Sequence, residues 1–172
     1  MTGFLLLKKV SPYGAYIWIS HYDTLMTGDM KMNILVIDAQ GGGIGRMLVS
    51  EIRKEFPGSK ITAVGTNSIA TSSMLKAGAN YGATGENPVV VASADADVII
   101  GPIGIIMADA MIGEITPLIA SSIARSKATK ILIPFNNCHT YIAGVDEQST
   151  GDLILSAIEK LRQVNYDKNR CI

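Results

Sequence analysis

The residues whose types and spacing point most directly to chemistry are four glycines that follow a short apolar segment. Residues Ile34 to Ile37 are all apolar and β-branched members dominate, a composition typical of a strand buried on both faces of a parallel sheet. Directly after it come Gly41, Gly42, Gly43 and Gly45. Glycine adopts positive φ easily and has no Cβ, so backbone N–H groups in such a turn can approach a phosphate closely. The pattern therefore predicts a turn that holds a phosphate-bearing ligand.

A second interpretation of this turn is structural, because glycines also allow a helix to pack closely on a strand. The dinucleotide-binding fingerprint G-x-G-x-x-G is not met, since Arg46 stands at its third glycine. The end of the turn, Gly43 to Gly45, instead resembles the last residues of the T-G-x-x-x-G-I-G turn of short-chain dehydrogenases. The Tyr-x-x-x-Lys pair of those enzymes is absent, because Val145 stands where Tyr141 would need a lysine.

Polar residues follow the second predicted strand, which runs from Lys60 to Val64. An NAD-binding protein usually has an acidic residue at this place for the ribose hydroxyls, and this chain has none there, nor an arginine for a 2′-phosphate. Thr66, Asn67 and Ser68 stand there instead and can hydrogen-bond to a sugar or a phosphate. Asn67 or Ser68 can equally serve as the N-cap of a helix predicted for Ile69 to Ala77.

The elements that must position these residues alternate along the chain between strands and helices. Apolar segments predict further strands at Val89 to Val91, Asp97 to Ile100 and Lys130 to Pro134. This alternation predicts an α/β fold, a Rossmann-like three-layer sandwich with a mostly parallel sheet of about five strands. Ligands of such sheets bind beyond the carboxyl ends of the strands. We therefore expect the glycine turn, Thr66 to Ser68, the loop from Gly82 to Asn87, the glycines Gly101 and Gly104, and residues Asn136 to His139 at one rim.

Candidates for catalysis are few. Glu86, Cys138 and His139 lie in loops predicted at the rim, but Cys138 and His139 are adjacent in sequence, so their side chains point apart. Asp109 and Glu114 are too far apart around a helix to share acid–base work, and we expect them to be interface or rim groups. The sequence leaves three classes open: an enzyme of the oxidoreductase kind, a non-enzymatic ligand sensor or assembly subunit, and a scaffold without a ligand, which does not account for the polar loops at the strand ends.

Composition excludes several other classes. The 172 residues include 15 basic and 15 acidic side chains, so nothing suggests a nucleic-acid partner. Two cysteines are too few for a disulfide framework or a thiolate metal site, which favours a cytoplasmic protein without a metal.

The apolar stretch from Ile103 to Ile123 is long, but Asp109, Glu114 and Pro117 argue against a membrane span. We predict two helical pieces, the second capped by Thr116 with Pro117 in its first turn. The first piece, Ile105 to Ile112, is apolar on all sides, which predicts contact with another copy of the chain in a homo-oligomer or, alternatively, a cover formed by the N-terminal arm.

The two ends of the chain differ from its middle. Residues 1–29 contain five of the ten aromatic residues, and they are predicted to be either an extension ahead of the true start or an arm whose segment Tyr16 to Ile19 joins a sheet edge. Residues 30–165 are predicted to form a single domain, with a closing helix capped by Ser149 or Thr150. We expect residues 166–172 to be a frayed tail.

The motifs ILVIDAQGGGIG, ITAVGTNSIATSSMLKAGA, GATGENPVVV, ADVIIGPIGI, GEITP and KILIPFNNC, taken in order from about Met32 to about Leu161, resemble a bacterial family of small proteins known only as a domain of unknown function. The resemblance implies a compact Rossmann-like domain and no particular activity. The functional hypothesis from the residues is a small-molecule binder, with NAD(P) as the first candidate ligand.

Overall fold

The computed structural model describes residues 6–9, 16–19, 31–134, 141–145 and 148–170. The chain divides into two compact units, Met1–Met30 and Lys31–Ile172. In the first unit, strands β1 (Leu6–Lys9) and β2 (Tyr16–Ile19) form an antiparallel two-stranded sheet. The strand expected at Tyr16 is therefore present, and it pairs with β1 within its own unit.

The second unit contains a five-stranded parallel sheet. Its strands are β3 (Asn33–Asp38), β4 (Lys60–Gly65), β5 (Tyr81–Thr84), β6 (Val98–Pro102) and β7 (Thr129–Ile133). They lie in the order β5-β4-β3-β6-β7, and every pairing is parallel. Within this sheet, the first strand, β3, is central; β4 and β5 are added on one side of it, and β6 and β7 on the other. This confirms the predicted α/β fold with a parallel sheet of five strands.

Helices cover both faces of this sheet. They are α1 (Gly43–Glu55), α2 (Ser68–Lys76), α3 (Glu86–Asp95), α4 (Pro117–Arg125) and α5 (Thr150–Arg170), with a short 3-10 helix at Ile103–Ile106. Side chains that alternate along a strand point to opposite faces. Ile34 and Val36 accordingly pack with α1 and α5, whereas Leu35 and Ile37 pack with α3 and α4. Two apolar clusters result, one on each face.

The third predicted strand is wrong. Val89 to Val91 lies in α3, and the edge strand β5 instead occupies the start of the segment expected to be a loop. The helix is favoured because positive φ at Gly85 ends the strand and Pro88 stands in the first turn, where its missing N–H is not needed. Val89 is buried and Val91 is exposed, which fits one face of a helix.

The predicted helical piece at Ile105 to Ile112 is also wrong. The 3-10 helix ends at Ile106 and a series of tight turns follows up to Glu114. Ile105 is fully buried, Ile106 and Met111 pack against the same apolar cluster, and Ile112 is 96% exposed. The following helix agrees with its prediction, since the Thr116 side chain accepts a hydrogen bond from the Ile119 N–H and Pro117 begins α4.

The closing helix α5 buries the predicted apolar stripe that includes Leu153, Ile158 and Leu161. The Ser149 hydroxyl accepts a hydrogen bond from the Asp152 N–H at 3.2 Å, as a cap would. The helix continues to Arg170, well into the segment that was expected to fray.

Candidate functional site

The candidate site is a cleft at the carboxyl ends of β3 and β6, where the strand order changes direction. Its volume is about 770 Å³, within the range of small-molecule sites. The walls are the glycine turn after β3 on one side and the loop of residues 107–112 after β6 on the other, with Asp38, Pro102 and Gly104 between them. Ligands of open α/β sheets bind at this place in the topology. None of its described lining residues is a lysine or an arginine.

Two of the four glycines in the turn are required by the fold. Gly42 has a φ of 67°, and a Cβ there would lie 2.6 Å from the Ala70 Cα in α2. A Cβ on Gly45 would lie 2.8 Å from the Asp38 Cβ and 2.5 Å from the Met74 sulfur. The structural interpretation of the turn is therefore correct for Gly42 and Gly45, which allow α1 and α2 to pack closely at the end of β3.

The other two glycines are not required by the fold. Gly41 and Gly43 have no positive φ, and a Cβ at either position would have no atom within 4 Å. Their N–H groups find no acceptor in the described part of the chain, whereas the Gly42 N–H donates to the Ala39 carbonyl at 3.0 Å. Both glycines line the cleft. A backbone without side chains thus faces the cleft at the N-terminus of α1, where the helix dipole favours an anion.

Asp38, the last residue of β3, accepts hydrogen bonds from backbone N–H groups on both sides of the glycine turn. One carboxylate oxygen accepts the Ala39 N–H at 2.8 Å, and the other accepts the Gly45 N–H at 2.6 Å. Burial raises the pKa of Asp38 above its usual 3.8, although these two hydrogen bonds oppose the increase. The two hydrogen bonds to Asp38 thus hold the glycine turn at the end of β3.

Gln40 connects the glycine turn to the end of β4. Its φ of 52° is uncommon for a residue other than glycine. Hydrogen bonds hold it in this conformation: its N–H donates to a Glu114 carboxylate oxygen at 2.9 Å, and its carbonyl accepts from the Asn67 amide at 2.9 Å. Strained backbone of this kind concentrates at binding and catalytic sites, where the surroundings fix it.

The sequence predicts Glu114 only as an interface or rim group and does not indicate which residues it bonds to. This residue lies in the loop of residues 107–115 but reaches the end of β4, where its Oε2 accepts hydrogen bonds from Gln40 N–H, the Thr66 hydroxyl and, at 3.0 Å, the Asn67 amide. The acid that the sequence lacks after β4 is therefore supplied from 48 residues further along the chain. The one sequence signal for this contact is that Thr66 and Asn67 have side chains that can donate hydrogen bonds to a carboxylate.

The described residues contain no group of three or more His, Cys, Asp or Glu side chains arranged to hold a metal ion. Among the helices of the described segments, none combines the length and apolar character that crossing a membrane requires.

The comparison with protein families gives a match over residues 33–165 to the model described as "Domain of unknown function (DUF3842)". The chain belongs to this family. The predicted resemblance is confirmed, and the matched range of this DUF3842 domain covers the whole five-stranded sheet and the cleft. A comparison with curated proteins gives no match.

Two solved structures are similar to this DUF3842 chain at low scores. A probable oxidoreductase from Mycobacterium abscessus has 21% identity and a TM-score of 0.42, with 81% of this chain and 42% of that chain covered. A dodecameric FMN-dependent Ubix-like decarboxylase from Escherichia coli O157:H7 has 15% identity and a TM-score of 0.34, with 77% of this chain and 76% of that chain covered. The chain thus spans less than half of the oxidoreductase, and neither likeness identifies a ligand.

Of the remaining predicted site residues of the DUF3842 domain, some line the cleft and others do not. Gly104 lines the cleft, but Gly101 is buried inside β6, where a Cβ would lie 2.3 Å from the Ile37 carbonyl oxygen. Asn67 is the N-cap of α2, with its side-chain oxygen 3.0 Å from the Ala70 N–H, and Ser68 is an exposed residue of the first turn.

Of the three candidates for catalysis, the structure describes Glu86. The Glu86 carboxylate accepts a hydrogen bond from the Thr116 hydroxyl and so connects the beginnings of α3 and α4. Cys138 and His139 lie outside the described residues, as does the rest of the segment predicted to reach the rim there.

Proposed function

We propose that this DUF3842 protein binds a nucleotide or another phosphate-bearing small molecule in the cleft, with NAD(P) as the first candidate. The observation that carries the proposal is the pair Gly41 and Gly43. Neither conformation nor packing requires glycine at these positions, both residues line the cleft, and no acceptor among the described residues bonds to either N–H group. A phosphate held there would be bound by backbone N–H groups and the α1 dipole.

Contacts to the rest of the ligand follow from the site. Gln40 connects the glycine turn to the polar groups at the end of β4 through its bonds to Glu114 and Asn67. A sugar attached to the phosphate would lie on this side of the turn, near Thr66, Asn67 and Glu114. Gly104 and the loop of residues 107–112 would contact an apolar ring on the opposite wall. We retain a cytoplasmic location as part of the proposal.

A second candidate function is a non-enzymatic ligand sensor or assembly subunit of a homo-oligomer. It is favoured because three described carboxylates of this region bond within the protein: both oxygens of Asp38 to backbone N–H groups, Glu86 to Thr116, and one oxygen of Glu114 to three donors. An enzyme would turn over a substrate without changing its assembly, whereas a sensor would change its oligomeric mass, measured by light scattering, when ligand is added.

The proposal is tested by thermal unfolding of the full chain with NAD⁺, NADP⁺, FAD, FMN, ATP, S-adenosylmethionine or inorganic phosphate. A ligand at about a hundred times its dissociation constant adds roughly 2.7 kcal/mol, which raises the Tm by about 5–10 °C for this chain length. We expect a selective increase with one nucleotide.

The variant Gly43→Val should abolish that increase, because its side chain enters the cleft. Gly151→Val is the matched control, since Gly151 is also a first-turn glycine, in α5, and its Cβ would contact only the Ser149 hydroxyl at 3.7 Å. Absence of any increase with wild-type protein, or an undiminished increase with Gly43→Val, would contradict the proposed function.

A further inference from the structure

The carboxylate of Glu114 is held with one oxygen engaged and the other available. Gln40, Thr66 and Asn67 all donate to Oε2, and no described residue donates to Oε1. Donors from two separate loops therefore fix the direction of this side chain. No salt bridge in the described part of the chain neutralises it.

The charge of this carboxylate is maintained by its surroundings. Burial acts to raise the pKa of Glu114, but the hydrogen bonds from the Gln40 N–H, Thr66 and Asn67 together outweigh burial, so the pKa lies below its usual 4.5. Glu114 is consequently ionised at neutral pH, and its free oxygen is a strong hydrogen-bond acceptor.

Its place in the fold is that of a sugar-binding acid. In parallel α/β sheets that bind dinucleotides, a carboxylate at the end of the second strand accepts hydrogen bonds from the ribose hydroxyls. β4 is the second strand of the sheet, and Thr66 and Asn67, which follow it, hold the Glu114 carboxylate. Gln40 lines the cleft and its N–H donates to the same oxygen, so the Glu114 carboxylate lies one residue behind the cleft wall, next to the glycine turn, and is not itself a lining group.

We infer that Glu114 is a specificity-determining residue, which accepts a hydrogen bond from a free ribose hydroxyl and disfavours a ligand that carries a phosphate at that position. The inference rests on the proposed function, because it assumes a nucleotide in the cleft. A hydroxyl donates to a carboxylate, whereas a phosphate brings a like charge to within a few ångströms of it. The ligand class is therefore a nucleotide with an unmodified ribose diol, of the NAD⁺ kind rather than the NADP⁺ kind.

The test is calorimetric titration of the full chain with 5′-AMP and with adenosine 2′,5′-bisphosphate, followed by NAD⁺ and NADP⁺. We expect wild-type protein to bind each diol ligand at least about tenfold more tightly than its 2′-phosphorylated counterpart. In Glu114→Gln the amide oxygen can still accept from the three donors, while the amide N–H₂ faces the ligand and can donate to a phosphate. This variant should reduce the preference to about twofold or reverse it.

Glu51→Gln serves as the control, because Glu51 is an α1 surface residue paired with Lys54 and its replacement leaves the preference unchanged. Equal preference in wild type and Glu114→Gln, with nucleotide still bound by both, would overturn the role of Glu114 and leave the proposed function intact. Failure of wild-type protein to bind any of the four ligands would instead overturn the proposed function, and the role of Glu114 with it.

Discussion

Gly42 and Gly43 are adjacent in one turn, but different physical constraints act on them. Gly42 adopts a left-handed conformation against the α2 backbone, whereas Gly43 is the first residue of α1 and has open space around it. The phosphate-binding and the packing interpretations of the glycine turn are therefore each suited to different residues. The backbone φ and the space around the Cα distinguish the two glycines, and neither can be derived from the residue types alone.

This difference gives a prediction at the residue scale. Gly42→Ala should lower the free energy of unfolding by about 2–4 kcal/mol, because the new Cβ is strained at positive φ and overlaps Ala70. Gly43→Ala should change it by no more than about 1 kcal/mol, in the stabilising direction, since alanine restricts the unfolded chain. Urea denaturation of both variants beside wild type measures the two values. Equal losses would show that both glycines serve the fold.

At the scale of elements, α4 depends on a cap that also joins two helices. The Thr116 hydroxyl accepts the Ile119 N–H at 3.1 Å and donates to the Glu86 carboxylate. The beginnings of α3 and α4 are thereby connected behind the loop that carries Glu114.

Loss of this cap should be measurable. Thr116→Ala should reduce the free energy of unfolding by about 0.5–2 kcal/mol, because the Ile119 N–H and the Glu86 carboxylate lose their partner. Thr116→Ser keeps the hydroxyl and should restore most of that loss. Chemical denaturation followed by circular dichroism compares the two variants, and a serine variant as unstable as the alanine one would contradict the capping role.

The elements also show what the sequence could and could not predict. Strand β3 and the start of α4 at Pro117 agree with the sequence prediction, because apolar composition and capping residues are local signals. Val89 to Val91 was assigned to a strand because a short apolar segment has no period that distinguishes it from one buried helix face. The hydrogen bonds of Glu114 could not be predicted from the sequence, because its partners are distant along the chain and the preceding residues Met111 and Ile112 have positive φ.

At the scale of the whole molecule, the five-stranded domain has its own core. The described members of both apolar clusters all lie at Met32 or beyond, from β3 through α5. We propose that residues 31–172 form an independent folding domain.

A chain shortened to residues 31–172 is expected to unfold in one cooperative thermal transition, at nearly the Tm of the full chain. Far-ultraviolet circular dichroism during heating measures both chains. A gradual, non-cooperative loss of signal from the shortened chain would show that residues 1–30 are needed for the fold.

The sheet also divides the molecule energetically. Its two apolar clusters share no side chains, so substitutions in opposite clusters contact different neighbours and their effects on stability should be additive. The polar contacts of Glu114 lie beside only one of these clusters, because Ile115, next to Glu114, and Ala39, next to its partner Gln40, both pack in the cluster that contains α3 and α4 side chains. If a ligand bonds to Glu114 as proposed, we expect substitutions in that cluster to change its affinity more than substitutions in the cluster that packs with α1 and α5.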